Sequence, residues 1–161
     1  MDAENVSRTE DVEEKLWPHA DLRCGREADP LIPPGEYDAY AKAADIVIMR
    51  FGRQSAERLV IVFEIRGGPR DGAHLRFIVP LPPRKRGVFG KSPAPSSKFF
   101  RAWVVANCGR RPDRSDRMSL EVFRHKLFRI RVRTVQNDRN QERLPECNQY
   151  SVVDALLERI A

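Results

Sequence analysis

Residues 127–135 read LFRIRVRTV, and this alternation constrains the fold more than any other stretch of the chain. Apolar and β-branched side chains fall on one face and arginines on the other. A period of two is typical of a β-strand with one buried face and one face in solvent. The segment therefore predicts a strand with a row of guanidinium groups on its outer face. We call this set the arginine row; it consists of Arg129, Arg131 and Arg133.

The arginine row permits two interpretations. Residues on the same face of a strand lie about 6.5–7 Å apart, close to the spacing of phosphates along an extended nucleic-acid strand, so the row could follow a polyanionic backbone. Charged side chains also occur on solvent-facing strands because they prevent edge-to-edge aggregation. The strand alone does not decide between these two roles.

Charge is distributed unevenly along the 161 residues. Residues 1–65 carry 8 Lys and Arg against 14 Asp and Glu, residues 66–139 carry 19 against 5, and residues 140–161 carry 2 against 4. A basic centre between acidic ends is typical of a surface that meets a polyanion, most often nucleic acid. We expect a flexible acidic tail over residues 1–30 and a single domain over residues 31–161.

Four more strands and a helix are predicted around the arginine row. Apolar and β-branched runs predict strands over residues 36–49, 58–66, 74–81 and 149–157. The alanine-rich spacing of the first also permits a helix, and the last could turn helical at its end. Ser96 or Ser97 can cap a helix over residues 98–107 that carries Phe99 and Trp103 on one face. The preceding segment, 82–97, is a long loop rich in Pro, Gly and Ser.

Three strands, a helix and two further strands is the element order of the OB-fold, a five-stranded Greek-key barrel with its helix between the third and fourth strands. We therefore predict a mainly β fold of this OB-like type with one or two short helices, of which the helix between strands 3 and 4 closes an open end of the barrel. Other small barrels fit the same order. A Rossmann arrangement is disfavoured because strands do not alternate with helices and no GxGxxG motif is present.

Four runs within residues 31–155 resemble a group of small proteins from phages and other mobile elements that carry an OB-like, single-stranded-DNA-binding-type domain. These runs are LIPPGEYDAY (31–40), FFRAWVVANCG (99–109), MSLEVF (118–123) with its continuation to residue 132, and QYSVV (149–153). The resemblance implies an accessory role in replication, recombination or transfer of such an element. The RKR loop and the acidic tail have no counterpart in the group.

Candidate nucleic-acid contacts come from strand arginines and from the basic loop. In OB-folds the nucleic acid usually crosses strands 2 and 3, and an exposed aromatic on a cationic loop can stack on a base. The candidates near that path are Arg53, Arg66, Arg76 and Arg139. The loop contributes Arg84, Lys85, Arg86, Phe89 and Lys91, and the third group is the arginine row. The alternative for residues 82–97 is a solvated, disordered loop that contacts no nucleic acid. The arginine row need not lie on the same face of the sheet as the other candidates.

No residue pattern predicts catalysis, a cofactor or a metal site. The GKS at residues 90–92 ends like a phosphate-binding loop, but Lys85 stands where that motif needs a glycine. The cysteines are far apart, and His19, His74 and His125 have no neighbours suited to a triad or a metal. No export signal and no apolar run of about 18 residues is present, so we expect a cytoplasmic protein that does not enter a membrane.

Together these observations predict a non-enzymatic protein that binds single-stranded DNA largely independently of sequence. RNA remains open as a ligand, and the acidic N-terminal segment could contact a protein partner. The alternative is a protein-interaction module, such as a phage-encoded inhibitor or an assembly subunit.

Overall fold

One sheet of five strands and one helix make up the part of the chain that the computed structural model describes, residues 31–51, 53–82, 93–138 and 140–161. The strands are β1 (Gly35–Phe51), β2 (Gln54–Ile65), β3 (His74–Pro80), β4 (Leu127–Val135) and β5 (Tyr150–Arg159). Helix α1 (Lys98–Ala106) lies between β3 and β4. Short 3₁₀ turns occur at Gly68–Arg70, Leu120–Val122 and Glu146–Asn148. The predictions of a mainly β fold and of a helix between the third and fourth strands are confirmed.

The strands lie in the order β3-β2-β1-β4-β5, and every neighbouring pair is antiparallel. The edge strands β3 and β5 approach each other, but within the described residues no strand pairing joins them. The sheet is therefore open, and closure into a barrel is not confirmed. Helix α1 packs against both β5 and β3, so it lies where a closed barrel would join these two strands.

Alanines allow the central strand β1 to pack between two large neighbours. Ala39 lies opposite Phe128 of β4, and Ala41 lies opposite Phe63 of β2. All four residues are fully buried, and the two phenylalanine rings meet edge to face, with centroids 5.9 Å apart. The small β1 side chains leave the room that these rings fill. The alanine-rich segment is thus a strand, and the helical alternative is wrong.

A bulge in β1 between Ala41 and Ala43 adds one residue to the strand. An extra residue in one strand shifts the alternation of faces. Ala41 before the bulge and Ala44 after it both face the core, although they are three residues apart. The bulge thus lets a 17-residue strand keep its small residues inside while it passes from the β4 side of the sheet to the β2 hairpin.

Helix α1 supplies the aromatic part of the core. Phe99 and Trp103 are buried, as their shared face predicts, and the Trp103 indole N–H donates to the carbonyl of Ser119 at 2.9 Å. At the helix start the backbone N–H of Phe100 donates to Ser97 Oγ at 3.1 Å, which confirms one of the two predicted caps. The helix therefore buries its apolar face, and the Ser97 side chain satisfies one of its four orphan N–H donors.

Strand β5 continues to Arg159, so the predicted helical end is wrong. Its last residues pair with β4, Leu156 opposite Ile130 and Arg159 opposite Phe128, and Leu156 belongs to the core. This tertiary pairing outweighs the helical propensity of the final Leu-Leu-Glu-Arg run. At the other end of β5, the buried hydroxyl of Ser151 accepts from the backbone N–H of Ile32 and donates to its carbonyl, which fixes the entry of the chain into the domain.

Candidate nucleic-acid interface

Carboxylates from neighbouring strands pair with every member of the arginine row. Arg129 Nε lies 3.0 Å from Asp38 on β1, and the hydrogen bond to that carboxylate raises the pKa of Arg129. Arg131 Nη2 lies 3.6 Å from Oε1 of Glu36, also on β1, and Arg133 Nε lies 3.1 Å from Oδ1 of Asp154 on β5. Cross-strand pairs of opposite charge stabilise a sheet face. They also balance the charge of the row, so its attraction for phosphate is weaker than three arginines suggest.

The sequence alone does not reveal the two acidic partners on β1, because they lie far from the arginines along the chain. Glu36 and Asp38 stand about 90 residues before β4, and they alternate with apolar residues in the same period of two. That shared period of two is the one signal in the sequence that could identify Glu36 and Asp38 as partners of the arginine row. It becomes informative only once β1 is known to pair with β4, which the sequence does not state.

A second cluster of charge lies on the side of β1, β2 and β3 that faces away from the core; we call this side the β1–β3 outer face. At its centre the carboxylate of Glu64 on β2 lies 2.7 Å from Lys42 Nζ, 3.1 Å from Arg66 Nη1 and 3.4 Å from His74 Nε2. The side chain of Glu64 is only 13% exposed, whereas the three basic partners are about half exposed. One largely covered carboxylate therefore holds together three basic groups that remain accessible to solvent.

The hydrogen bond from Lys42 is the largest effect on Glu64. It lowers the pKa of the Glu64 carboxyl below its ordinary value of 4.5, although burial acts in the opposite direction. The charges of Lys42, Arg66 and His74 lower this pKa further. Glu64 is thus ionised near neutral pH, and its single negative charge only partly offsets the cations around it.

An aromatic ring borders this cluster. The guanidinium carbon of Arg66 lies 5.5 Å from the ring centroid of Tyr40, and Tyr40 Oη lies 3.2 Å from His125 Nδ1. The Tyr40 ring is half-buried, so part of it is open to solvent. Arg76 of β3 stands on the same face, opposite Val62. Cationic side chains beside an aromatic ring are the components from which proteins build contacts to single strands.

Farther along the same side of the sheet lies a second, smaller apolar cluster whose central residues are buried. Val60 is fully buried and Val47 is nearly so, and Ala43, Val62 and Ile78 pack against them. Ile78 lies opposite Val60 across the β2–β3 pairing. The β1–β3 outer face therefore combines a cationic end with an apolar centre, whereas the outer face of β4 carries alternating pairs of opposite charge.

The remaining candidates are dispersed. Arg53 is exposed in the β1–β2 turn, just before β2, whereas Arg66 follows the other end of that 12-residue strand. The two are thus separated by about 40 Å along an extended strand and do not form one contact. Six further candidates lie outside the described residues: Arg84, Lys85, Arg86, Phe89, Lys91 and Arg139.

The described residues contain no group of three or more His, Cys, Asp or Glu side chains placed to hold a metal ion. No helix in the described ranges is long and apolar enough to cross a bilayer. No protein-family model matches the chain, and neither does a curated protein or a solved structure.

Proposed function

We propose that the protein binds single-stranded DNA, largely without sequence preference, along the β1–β3 outer face. The observation that carries this proposal is the convergence of Lys42, Arg66 and His74 on Glu64 beside Tyr40. Cations follow the phosphates of a strand, and an aromatic face stacks on bases whatever their identity. The mobile-element setting in replication, recombination or transfer rests on the sequence resemblance alone.

The order of strands supports an OB-like assignment for the sheet. In that fold the first strand pairs with both the second and the fourth, as β1 does here, and the helix covers one end of the barrel. OB-folds bind oligonucleotides across strands 2 and 3. Glu64 lies on β2, with His74 directly opposite on β3, so the cationic cluster occupies the corresponding surface.

The arginine row has a structural role in this account. Its members hold β4 to β1 and β5 through the three carboxylates. A phosphate would have to compete with those carboxylates, which are already in place. On the β1–β3 outer face, by contrast, a phosphate would meet several basic groups arranged around one carboxylate.

Fluorescence anisotropy with labelled oligonucleotides tests the proposal. The full chain is titrated against single-stranded DNA, duplex DNA and single-stranded RNA at about 50 and 150 mM salt, because counterion release makes polyanion binding strongly salt-dependent. We expect single strands to bind more tightly than duplex, with affinity falling as salt rises. Comparable binding of RNA would extend the ligand class without moving the site. Failure of every polymer to bind more tightly than about 10⁻⁴ M at 150 mM salt would refute the proposal.

A protein-interaction module is the second candidate, and exposed isoleucines favour it. Ile46 and Ile48 of β1 are 40% and 46% exposed and lie beyond the part of β1 that pairs with β4. Adjacent exposed apolar side chains on one face of a strand can contribute to a protein contact. A protein partner would bind with a defined stoichiometry and a shallow salt dependence, which distinguishes it from nucleic acid.

A further inference from the structure

A groove of about 710 Å³ lies between α1 and the edge strands β3 and β5. Its apolar walls include Phe77, Val105 and Leu156, and it shares no lining residue with the cationic cluster around Glu64. The volume is within the range of sites that hold small organic molecules. The open gap between β3 and β5, covered by the helix, is what creates this space.

Three basic side chains line the groove, and none of them has an acidic partner among the described residues. They are Lys98 and Arg101 of α1 and Arg111 of the segment that follows it. The acid that lines the groove, Asp154, is already bound to Arg133 at 3.1 Å. The groove therefore has a local excess of positive charge beside apolar walls.

Lys98 is the most constrained of the three. Its side chain is half-buried, and Nζ lies 4.6 Å from the ring centroid of Phe77. Burial lowers the pKa of Lys98, and the nearby Arg133 lowers it further, while Asp154 acts in the opposite direction. Removing an ammonium from water costs free energy that the nearby Asp154 offsets only in part, and a bound anion would offset more of it.

We propose that this groove binds an amphipathic organic anion, with its carboxylate or phosphate on Lys98, Arg101 and Arg111 and its apolar body against Val105 and Leu156. The basic groups define the charge of the ligand, and the walls define its apolar part. The proposal is independent of nucleic-acid binding on the β1–β3 outer face.

Isothermal titration calorimetry of the full chain with phenyl phosphate tests the site. Inorganic phosphate and phenol serve as the charged and apolar halves of the probe. We expect phenyl phosphate to bind at least tenfold more tightly than either half. Equal affinity for phenyl phosphate and inorganic phosphate would overturn the proposal, because the apolar walls would then contribute nothing.

Variants locate the site. Lys98→Met should weaken phenyl phosphate binding at least tenfold and Arg111→Gln about threefold or more, whereas the matched control Arg110→Gln, one residue away and outside the groove, should stay within twofold. Thermal unfolding verifies that each variant is folded. If Arg110→Gln weakens binding as much as Arg111→Gln, the site is wrong. A saturating single-stranded oligonucleotide should leave phenyl phosphate bound; its displacement would assign the groove to the nucleic-acid path instead.

Discussion

Replacing Glu64 with glutamine should lower the stability of the protein while raising its affinity for single-stranded DNA. The carboxylate of Glu64 is the common partner of Lys42, Arg66 and His74, at 2.7–3.4 Å. Glutamine has nearly the same shape and can still accept hydrogen bonds, but it carries no charge. The substitution therefore removes the central negative charge of the cluster and leaves the three basic groups in place.

The expected loss of stability follows from the exposure of the partners. Ion pairs with solvent-exposed basic side chains contribute about 0.2–1 kcal/mol each. Lys42 and Arg66 form two such pairs with Glu64, His74 adds a third only when its imidazole is protonated, and pairs that share one carboxylate are not additive. We therefore expect Glu64→Gln to reduce the free energy of unfolding by about 1–2 kcal/mol. For a chain of this size that corresponds to a fall in Tm of about 3–6 °C. Urea unfolding and calorimetry at pH 7 measure both quantities.

The pH dependence provides a separate check. Because the folded-state pKa of Glu64 is lowered below 4.5, the stabilisation is fully present above 4.5 and is lost as pH falls through the folded-state value. The difference in stability between wild type and Glu64→Gln should therefore shrink on acidification. A difference that stays constant well below pH 4.5 would refute the assignment of the stability to the ionised carboxylate.

The same variant should bind single-stranded DNA several-fold more tightly at about 50 mM salt, and the gain should diminish at higher salt because the effect is electrostatic. Glu142→Gln, an exposed residue of the β4–β5 loop, makes the same change in net charge away from the face and serves as the control. Equal gains in both variants would show that only net charge matters. Unchanged affinity in Glu64→Gln would contradict the placement of the site.

Other perturbations test the fold and the groove. Ser151→Ala removes the buried hydroxyl that binds the backbone ahead of β1, and urea unfolding should show a loss of about 1–3 kcal/mol. Ala41→Leu forces a larger side chain against a buried phenylalanine of β2, and calorimetry should show a loss of about 1–3 kcal/mol. Lys98→Met should be more stable than wild type at neutral pH. Burial lowers the folded-state pKa of Lys98 below 10.5, so the wild type gains stability as pH rises from that lowered pKa to 10.5. Unfolding measured at increasing alkaline pH should therefore show a smaller difference in stability between Lys98→Met and wild type.

The sequence predicted the elements of this fold better than the relations between them. The alternation of residues 127–135 matches β4 residue for residue, and the aromatic face of residues 98–107 matches α1 to within one residue. Both patterns are local, so they are visible in a single sequence. The alanines of β1 were ambiguous because their inward orientation depends on two phenylalanines that other strands supply.

The candidate site depended on contacts that no local pattern encodes. The arginines of β4 were recognised as a row, but their carboxylate partners come from β1 and β5. Lys42 reaches Glu64 from the bulged segment of β1, and a bulge of this kind has no strong sequence signal. Whether β3 and β5 pair and close the sheet into a barrel depends on how strongly the sheet coils. The order of the elements along the chain does not determine that coiling.

The most direct test of the central claim compares two variants that each remove three positive charges. One is Lys42→Gln with Arg66→Gln and Arg76→Gln on the β1–β3 outer face; the other replaces all three members of the arginine row with glutamine. Anisotropy with a labelled single-stranded oligonucleotide measures both at several salt concentrations. We expect the outer-face variant to lose at least tenfold in affinity, with a shallower salt dependence, and the row variant to lose less than about threefold. Equal losses, or a larger loss in the row variant, would contradict binding along the β1–β3 outer face.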